Sequence, residues 1–290
     1  MKRIEAVRNV AFDVGKSEIF GLLGPNGAGK TTTLKIMMSL IRPTRGSIHM
    51  FGLKVPDRSI YHRAGFLPEN PYFYEYLDPL EFLSFAGSLF GIERKVRMKR
   101  AGELLERVGL ADARRHPLRK FSKGMLQRLG IAQALINEPE LLVLDEPMSG
   151  LDPIGRRDVR NLILELRDAG TTILFSSHIL SDVEMICDRV AIINKGKVTT
   201  VGLLADLLRP EVRRTVIEAE GIGDEDLGSL ERLCQKVLRA GSMVQLEIEG
   251  DTQVDEVIGR LRDFGGRVVS VVPHRETLED IFVRDALQSD

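Results

Sequence analysis

A glycine-rich segment near the start of the chain, Gly24–Thr32, constrains the fold more than any other feature. It matches the pattern G-x-x-x-x-G-K-[S/T] in full. Glycines let backbone N–H groups approach a phosphate chain closely, and the helix that follows points its positive end at the phosphates. Lys30 is placed to reach the β- and γ-phosphates, and the Thr31 hydroxyl is placed to hold Mg²⁺. The segment therefore predicts a nucleoside triphosphate site, formed by Gly24, Pro25, Asn26, Gly27, Ala28, Gly29, Lys30, Thr31 and Thr32.

The surroundings of this segment disfavour the alternative of a chance glycine turn. The apolar run Ile19–Leu23 before it reads as a strand, and the apolar stretch Leu34–Leu40 after it reads as a helix. Strands that alternate with helices predict an α/β fold with a largely parallel sheet over the first 210 residues. The further predicted strands are Gly65–Leu67, Leu141–Leu144, Thr172–Ser176 and Val190–Asn194.

Two carboxylates, Asp145 and Glu146, follow the apolar run Leu141–Leu144. Ligands of open α/β sheets bind outside the carboxyl ends of the strands, so we expect this pair beside the phosphates. Asp145 is expected to hold Mg²⁺ through water, and Glu146 to polarise the attacking water as general base. An Asp-Glu pair at a strand end is usually a solvated turn, but the phosphate loop upstream favours the catalytic interpretation.

Two other regions show different patterns. Residues 78–136 read as helical, and Asp78-Pro79-Leu80-Glu81 predicts a helix start with Asp78 as N-cap and Glu81 completing a capping box. This predicts a helical subdomain inserted into the α/β domain. Beyond residue 210 the predicted order is strand, helix, strand, strand, helix, strand, the split-βαβ pattern of ferredoxin-like domains, with a last helix near Thr277. The predicted domains are residues 1–210 and a small accessory α+β domain, 211–290.

Three more motifs make a resemblance specific. Phe121-Ser122-Lys123-Gly124-Met125 precedes the acidic strand, Ser149-Gly150-Leu151-Asp152 follows it, and His178 follows the next strand. In order and spacing, residues 1–205 resemble the ATP-binding-cassette (ABC) ATPases, whose fold is that of the P-loop NTPases. The resemblance implies that ATP is the nucleotide.

The resemblance also implies a role for each motif. Ser122 and Gly124 would contact the γ-phosphate of ATP bound by the opposite protomer. Asp152 would shape the dimer interface, and His178 would contact the γ-phosphate. Two chains would pack head to tail around two ATP molecules and separate after hydrolysis.

The chain departs from the family pattern at three places. Lys123 and Met125 replace the glycine and glutamine of the usual signature. Glu69 stands where the family commonly has Gln. An ionised Glu can only accept hydrogen bonds, and we expect Glu69 to contact Mg²⁺ or its water at the catalytic site. Residues 1–11 contain no Phe, Tyr or His to stack on adenine, and Phe12 lies in a strand pattern typical of the core.

Two surface features bear on partners. Tyr72-Phe73-Tyr74-Glu75-Tyr76 holds three of the four tyrosines. In transporters of this family that region receives a cytoplasmic helix of the membrane subunit, although packing inside the helical subdomain explains any single ring equally well. Residues 92–123 hold 11 basic and 4 acidic residues, and a solvated face is favoured over anionic lipid or nucleic acid as the explanation. Residues 211–290 hold 10 basic and 18 acidic residues, which argues against nucleic-acid binding by the tail.

The leading hypothesis is the ATP-binding and ATP-hydrolysing subunit of an export-type ABC transporter, similar to bacterial drug or lipid export ATPases. Its expected partners are a second copy or a paralogous ATPase subunit and an integral-membrane permease, with no direct nucleic acid. The sequence has no run of 18 apolar residues and no evident signal peptide, so we expect a cytoplasmic protein held at the inner face of the membrane by the permease. The alternative is a soluble ABC ATPase acting on ribosomes or DNA. Glu146 argues against a third option, a regulatory protein that binds ATP without turnover.

Overall fold

The computed structural model describes residues 5–208, 212–251, 253–275 and 277–287, and the chain divides into two units, Met1–Leu204 and Ala205–Asp290. The strands are β1 (Ile19–Leu23), β2 (His49–Met50), β3 (Leu53–Lys54), β4 (Ala64–Leu67), β5 (Leu141–Asp145), β6 (Thr172–Ser177), β7 (Arg189–Asn194), β8 (Lys197–Leu203), β9 (Val212–Glu220), β10 (Lys236–Ala240), β11 (Met243–Glu249) and β12 (Arg267–Arg275). The helices are α1 (Lys30–Met37), α2 (Arg58–Arg63), α3 (Pro79–Leu89), α4 (Arg94–Arg107), α5 (Lys123–Ala134), α6 (Pro153–Asp168), α7 (Leu180–Ile186), α8 (Leu204–Leu207), α9 (Asp224–Leu230), α10 (Val254–Asp263) and α11 (Leu278–Leu287).

A six-stranded sheet in the order β4-β5-β6-β1-β7-β8 forms the centre of the first unit. Its first five strands run parallel, and β8 pairs with β7 in the opposite direction. The predicted α/β fold with a largely parallel sheet is therefore confirmed. The two-residue strands β2 and β3 and the final strand β8 were not among the predicted strands. β8 is only partly buried, on alternate residues, so it lacks the continuous apolar run of the parallel strands.

The sheet determines where the functional segments meet. β1 and β5 are buried along their whole length, as expected for parallel strands covered on both faces. The register places Leu23 beside Ser177, and Asp145 beside Ser176. β1, β5 and β6 therefore end together, and the phosphate loop, the acidic pair and His178 all lie at one edge of the sheet.

The helices α3, α4 and α5 lie between β4 and β5 in the chain and form the predicted helical insertion. α3 begins as the sequence predicts. Its capping box has the backbone N–H of Glu81 donating to Asp78 at 2.8 Å and the backbone N–H of Asp78 donating to Glu81 at 3.0 Å. Phe82 and Leu83 on α3 and Leu105 on α4 are buried. The inserted helical subdomain is confirmed.

The second unit contains a four-stranded antiparallel sheet in the order β10-β11-β9-β12. The order of elements from β9 to β12 is the predicted βαββαβ, so the ferredoxin-like fold of the tail is confirmed. Its separate core includes Ile217 and Leu246 from the strands and Val257 and Leu261 from α10. The last helix, α11, starts directly after Thr277, as predicted.

Candidate nucleotide-binding site

The phosphate loop joins β1 to α1, and its backbone requires glycine at two points. Gly29 directly precedes α1 with a φ of 107°, which L side chains rarely adopt. A Cβ on Gly24 would lie 2.3 Å from the carbonyl oxygen of Ile193, so no side chain fits there. Glycine at these two positions therefore fixes the path of the loop between β1 and α1.

Lys30, the first residue of α1, is buried and links the loop to the acidic pair. Its Nζ donates to the carbonyl oxygen of Gly24 at 2.7 Å and to that of Pro25 at 3.3 Å. The same nitrogen lies 3.1 Å from Oε1 of Glu146, an ion-pair contact without the alignment of a hydrogen bond. The predicted phosphate-binding cation and the predicted base are therefore direct neighbours.

Thr31 and Asp145, the predicted magnesium pair, are also in contact. The Thr31 hydroxyl donates to Oδ1 of Asp145 at 3.1 Å. Oδ2 of Asp145 is buried and has no hydrogen-bond partner within the described chain. A buried carboxylate oxygen beside a hydroxyl fits a divalent cation, because Mg²⁺ takes oxygen ligands and keeps several waters. Among the described residues no group of three or more His, Cys, Asp or Glu could form a metal cage, so water and phosphate would have to complete the coordination shell.

Glu146 and His178 form a second close pair. Nδ1 of His178 lies 2.8 Å from Oε2 of Glu146, a hydrogen bond when that nitrogen carries the proton. Glu146 has a φ of 51°, in the left-handed region that few non-glycine residues occupy. Such strain is often found at functional sites. The carboxylate is held between Lys30 and His178 at the end of β5.

Ser176 completes this arrangement and was missed in the sequence. Its buried hydroxyl donates to Oδ1 of Asp145 at 2.6 Å and accepts from the backbone N–H of Glu146 at 2.9 Å. It thereby orients both members of the acidic pair. The available signal was its position at the end of β6, the strand that leads to His178.

Glu69 is the predicted residue that the structure does not join to this group. It is exposed and follows β4. In the part of the chain that the structure describes, it makes no hydrogen bond or ion pair with Thr31 or Asp145. Its role at the magnesium site stays a prediction.

Ser122, Gly124 and Asp152 lie together in another place. A cavity of about 250 Å³ is lined by these three residues together with Arg128 and Leu151, among others, and its described lining contains no residue of the phosphate loop. Ser122 is the N-cap of α5, its hydroxyl accepting from the N–H of Met125 at 3.3 Å. Asp152 caps α6 by accepting from the N–H of Gly155 at 2.7 Å. The signature residues therefore line a cavity to which no described residue of the phosphate loop or of the acidic pair contributes.

The aromatic segment after Glu69 divides between core and surface. Phe73 is 8% exposed and packs against Phe82, with ring centroids 5.2 Å apart. Tyr72 and Tyr76 are 86% and 76% exposed, and Tyr74 lies between them with its ring centroid within 6.3 Å of both. Core packing thus accounts for Phe73 and leaves the three tyrosines as an exposed cluster. Phe12, as expected, stacks on the core residue Phe20 at 5.2 Å.

A phosphate loop after β1, an acidic pair at the end of the parallel strand β5 and a helical insertion define an ATP-binding-cassette ATPase. The family model described as "ABC transporter" matches residues 7–149. An uncharacterised ABC transporter ATP-binding protein of Nostoc is 44% identical over the whole chain and 85% of its own length. The bacitracin transport ATP-binding protein of Bacillus licheniformis is 44% identical over 67% of this chain and 63% of its own. A dimeric ATP-binding cassette solved in a post-hydrolysis state with ADP and phosphate is 26% identical, covers 69% of this chain and 90% of its own, and has a TM-score of 0.64.

The chain belongs to the family of ABC transporter ATP-binding proteins. The resemblance predicted from its motifs is confirmed, and with it the assignment as an ATPase that binds and hydrolyses ATP. In the described part of the chain, no helix has the length and apolar character needed to cross a membrane.

Proposed function

We propose that two cassettes, this chain and a second copy or a paralogous subunit, close on two ATP molecules and drive an export-type membrane permease. The main support for this proposal is that five side chains lie together at one edge of the sheet: Lys30, Thr31, Asp145, Glu146 and His178. These residues provide a cation for the phosphates, oxygen ligands for a metal ion and a carboxylate for the attacking water. Such groups are what phosphoryl transfer to water requires of a protein.

Within each site, Glu146 acts as the general base. Its carboxylate polarises the water that attacks the γ-phosphorus, and its contacts with Lys30 and His178 fix its orientation. His178 contacts the γ-phosphate. The backbone N–H groups of Gly24–Thr32 bind the phosphate oxygens, assisted by the N-terminal end of α1.

Thr31 and Asp145 are the proposed residues for Mg²⁺, Thr31 by its hydroxyl and Asp145 through water, with Glu69 as a further contact. The buried, unpartnered Oδ2 of Asp145 supports this assignment. When bound, Mg²⁺ neutralises charge on the β- and γ-phosphate oxygens.

Completion of each site requires the partner cassette. Ser122 and Gly124 line a cavity together with Asp152, and no described residue of their own phosphate loop contributes to that lining. We assign Ser122 and Gly124 to the γ-phosphate in the facing cassette and Asp152 to the interface between the two cassettes. This arrangement makes ATP binding and dimer closure one event.

The permease is the proposed partner of the tyrosine cluster, because exposed aromatic side chains are typical of interface centres. The described chain contains no helix able to span the membrane, so the cassette would be held at the cytoplasmic face through the permease. Export is supported by the relative named for bacitracin transport. Residues 1–210 form the proposed ATPase domain and residues 211–290 an accessory domain. The relatives bear transporter names, so we do not adopt the ribosome- or DNA-acting alternative.

Glu146→Gln tests the catalytic assignment. The variant keeps the shape of the side chain and removes the base, so ATP turnover should fall by about 10²-fold or more. Nucleotide binding should persist, and an ATP-bound dimer should accumulate in size-exclusion chromatography with ATP. The matched control is Glu140→Gln, which removes an exposed carboxylate that pairs with Arg63 just before β5. Normal turnover in Glu146→Gln would remove Glu146 as the base.

The double variant Tyr72→Ala/Tyr76→Ala tests the permease contact. Neither ring contacts the phosphate site, so ATP turnover by the purified chain should stay at the wild-type level. The membrane-bound pool of the protein in its native cell should be lost. Leu40→Ala, which truncates an exposed apolar side chain outside the cluster, should leave that pool intact. Unchanged membrane binding of the double variant would refute the assignment.

A further inference from the structure

The signature turn, Phe121–Met125, and the segment Ser149–Asp152 pack against each other within the same chain. The side chain of Lys123 lies across Gly150: a Cβ on Gly150 would be 2.3 Å from Nζ, 2.7 Å from Cε and 3.1 Å from Cδ of Lys123. Beside it, a Cβ on Gly124 would be 3.4 Å from Leu151 Cδ2. The first turn of α5 therefore covers the segment that follows the acidic pair.

The covered segment is tied by backbone hydrogen bonds to the catalytic carboxylate. The N–H of Ser149 donates to the carbonyl oxygen of Glu146 at 3.1 Å, and the N–H of Leu151 donates to that of Met148 at 3.4 Å. Gly150 has a φ of 71°, so the turn depends on a left-handed residue at this position. Gly150 therefore directly follows a residue whose backbone is hydrogen-bonded to that of Glu146.

Lys123 makes this contact by packing. Its side chain is exposed, and it forms no ion pair within the residues that the structure describes. The end of the side chain, Nζ, Cε and Cδ, lies nearest to Gly150, and the long side chain of a lysine can cover backbone surface in this way. A glycine, the usual residue at this place in the signature, has no side chain to reach Gly150.

We propose that Lys123 is a positioning residue. Its side chain fixes the position of Gly150 relative to the signature turn, and through Gly150 it fixes the backbone of Glu146. This inference rests on the proposed function, in which Ser122 and Gly124 contact ATP bound by the facing cassette. Engagement of the signature by one ATP then sets the position of Glu146 at the other ATP. Lys123 couples the two sites through contacts within one chain.

Three single variants separate this role from general effects. Lys123→Ala removes the stem and the charge, Lys123→Met keeps most of the stem without the charge, and Lys120→Ala removes a neighbouring exposed cation. We measure kcat, KM for ATP and the Hill coefficient of ATP hydrolysis by the full-length chain. For Lys123→Ala we expect kcat to fall about 5-fold because Glu146 is less well positioned, and the Hill coefficient to move toward 1. KM should stay unchanged because the phosphate loop is intact. Lys123→Met and Lys120→Ala should behave like the wild type.

A double-mutant cycle with Gly150→Ala tests the contact itself. The backbone strain of alanine at Gly150 is the same in both backgrounds, but its Cβ meets Nζ, Cε and Cδ of the lysine only when Lys123 is present. Gly150→Ala should therefore lower kcat more in the Lys123 background than in the Lys123→Ala background.

The opposing results are distinct. Strictly additive effects, or Lys123→Ala behaving like Lys120→Ala while the wild type remains cooperative, would overturn the inference alone. A loss in Lys123→Met equal to that in Lys123→Ala, with a raised KM, would assign Lys123 to a charge contact and also overturn it. A wild type with a Hill coefficient of 1 and no ATP-dependent dimer would overturn the two-site function and this inference with it.

Discussion

At the scale of single residues, the acidic pair depends on one buried hydroxyl. Ser176 gives Asp145 a donor and gives the backbone N–H of Glu146 an acceptor, at 2.6 and 2.9 Å. Glu146 is in a left-handed conformation, which the surrounding structure must enforce. We therefore expect Ser176 to act on catalysis through the orientation of these two residues.

Ser176→Ala should lower ATP turnover at least 10-fold while leaving the affinity for ADP near the wild-type value. The reason is that Asp145 loses a buried donor and the N–H of Glu146 loses its acceptor, whereas the phosphate loop is untouched. The buried N–H of Glu146 is left unpaired at a cost of about 1–3 kcal/mol, whereas Oδ1 of Asp145 keeps its hydrogen bond from Thr31, so the free energy of unfolding should fall as well. Turnover assays, ADP titration calorimetry and urea unfolding measure the three quantities.

Thr215→Val is the control for this loss of stability. It removes a buried hydroxyl that donates to Gly250 in the second unit at 2.8 Å. It should destabilise the chain and leave turnover unchanged. If Ser176→Ala and Thr215→Val had the same turnover, the positioning role of Ser176 would be wrong.

Residue identities at the site were predictable where a motif fixes them. Lys30, Thr31, Asp145, Glu146 and His178 are specified by spacing from strands with strong apolar signals, and the structure brings them together. Ser176 was not predictable, because a single serine at the end of an apolar strand has no spacing of its own. The pairing of Lys30 with Glu146 depends on the order of strands in the sheet, and a linear pattern does not contain that order.

At the scale of elements, the start of α3 shows how local sequence decides a helix boundary. Asp78 and Glu81 satisfy each other's backbone N–H groups, and Pro79 occupies the first helical position. These groups have no partner inside the helix, so the side chains satisfy donors that would otherwise be free. The insertion of the helical subdomain after the aromatic segment begins at this box.

Asp78→Ala should lower the free energy of unfolding by about 1 kcal/mol, the usual cost of a lost N-cap. Asn is as good an N-cap as Asp, so Asp78→Asn should retain most of that stability. Urea unfolding followed by circular dichroism measures both. Equal destabilisation by the two substitutions would show that the charge of Asp78, which lies 3.4 Å from Arg115, matters more than the cap.

Elements with a continuous apolar run or a clear cap were predictable to within a few residues. β1 and β5 begin at the predicted residues, and α3 has the predicted cap. β8 was missed because its residues alternate between partly buried and exposed positions. The hairpin of β2 and β3 was missed because each strand has two residues, too few for a periodic signal.

At the scale of the whole molecule, each unit contains one cysteine thiol, and the reactivity and pKa of that thiol depend on the packing of its own unit. Burial raises the pKa of Cys187 in the first unit well above its usual value. Burial also raises the pKa of Cys234 in the second unit, to about 11. The folded chain therefore keeps Cys234 protonated at a pH where the unfolded chain ionises it. The stability due to the neutral thiol is present below pH 9 and is lost as the pH rises toward 11.

Cys234→Ala should remove this alkaline dependence. Between pH 9 and about 11 the wild-type second unit should lose stability faster than the variant, while the two curves run parallel between pH 6 and 8. Thermal unfolding across this range measures the difference. Parallel curves up to pH 11 would contradict the assigned cause.

The two thiols also test whether nucleotide stabilises one unit or both. Cys187 lies at the end of α7 with Sγ 2.8 Å from the position of a Cβ on Gly21 in β1, so a reagent reaches it only when α7 separates from the nucleotide-binding strand. ADP at 100 times its dissociation constant stabilises the binding-competent form by about 2.7 kcal/mol. Labelling of Cys187 should therefore slow by about 100-fold with ADP, whereas labelling of Cys234 should not change, because its core is separate.

Mass spectrometry of labelled peptides over time measures both rates, and Lys30→Met, which should not bind ADP, serves as the control. Equal slowing at both thiols would mean that the two units open as one, and the tail would then belong to the cooperative unit that binds ATP.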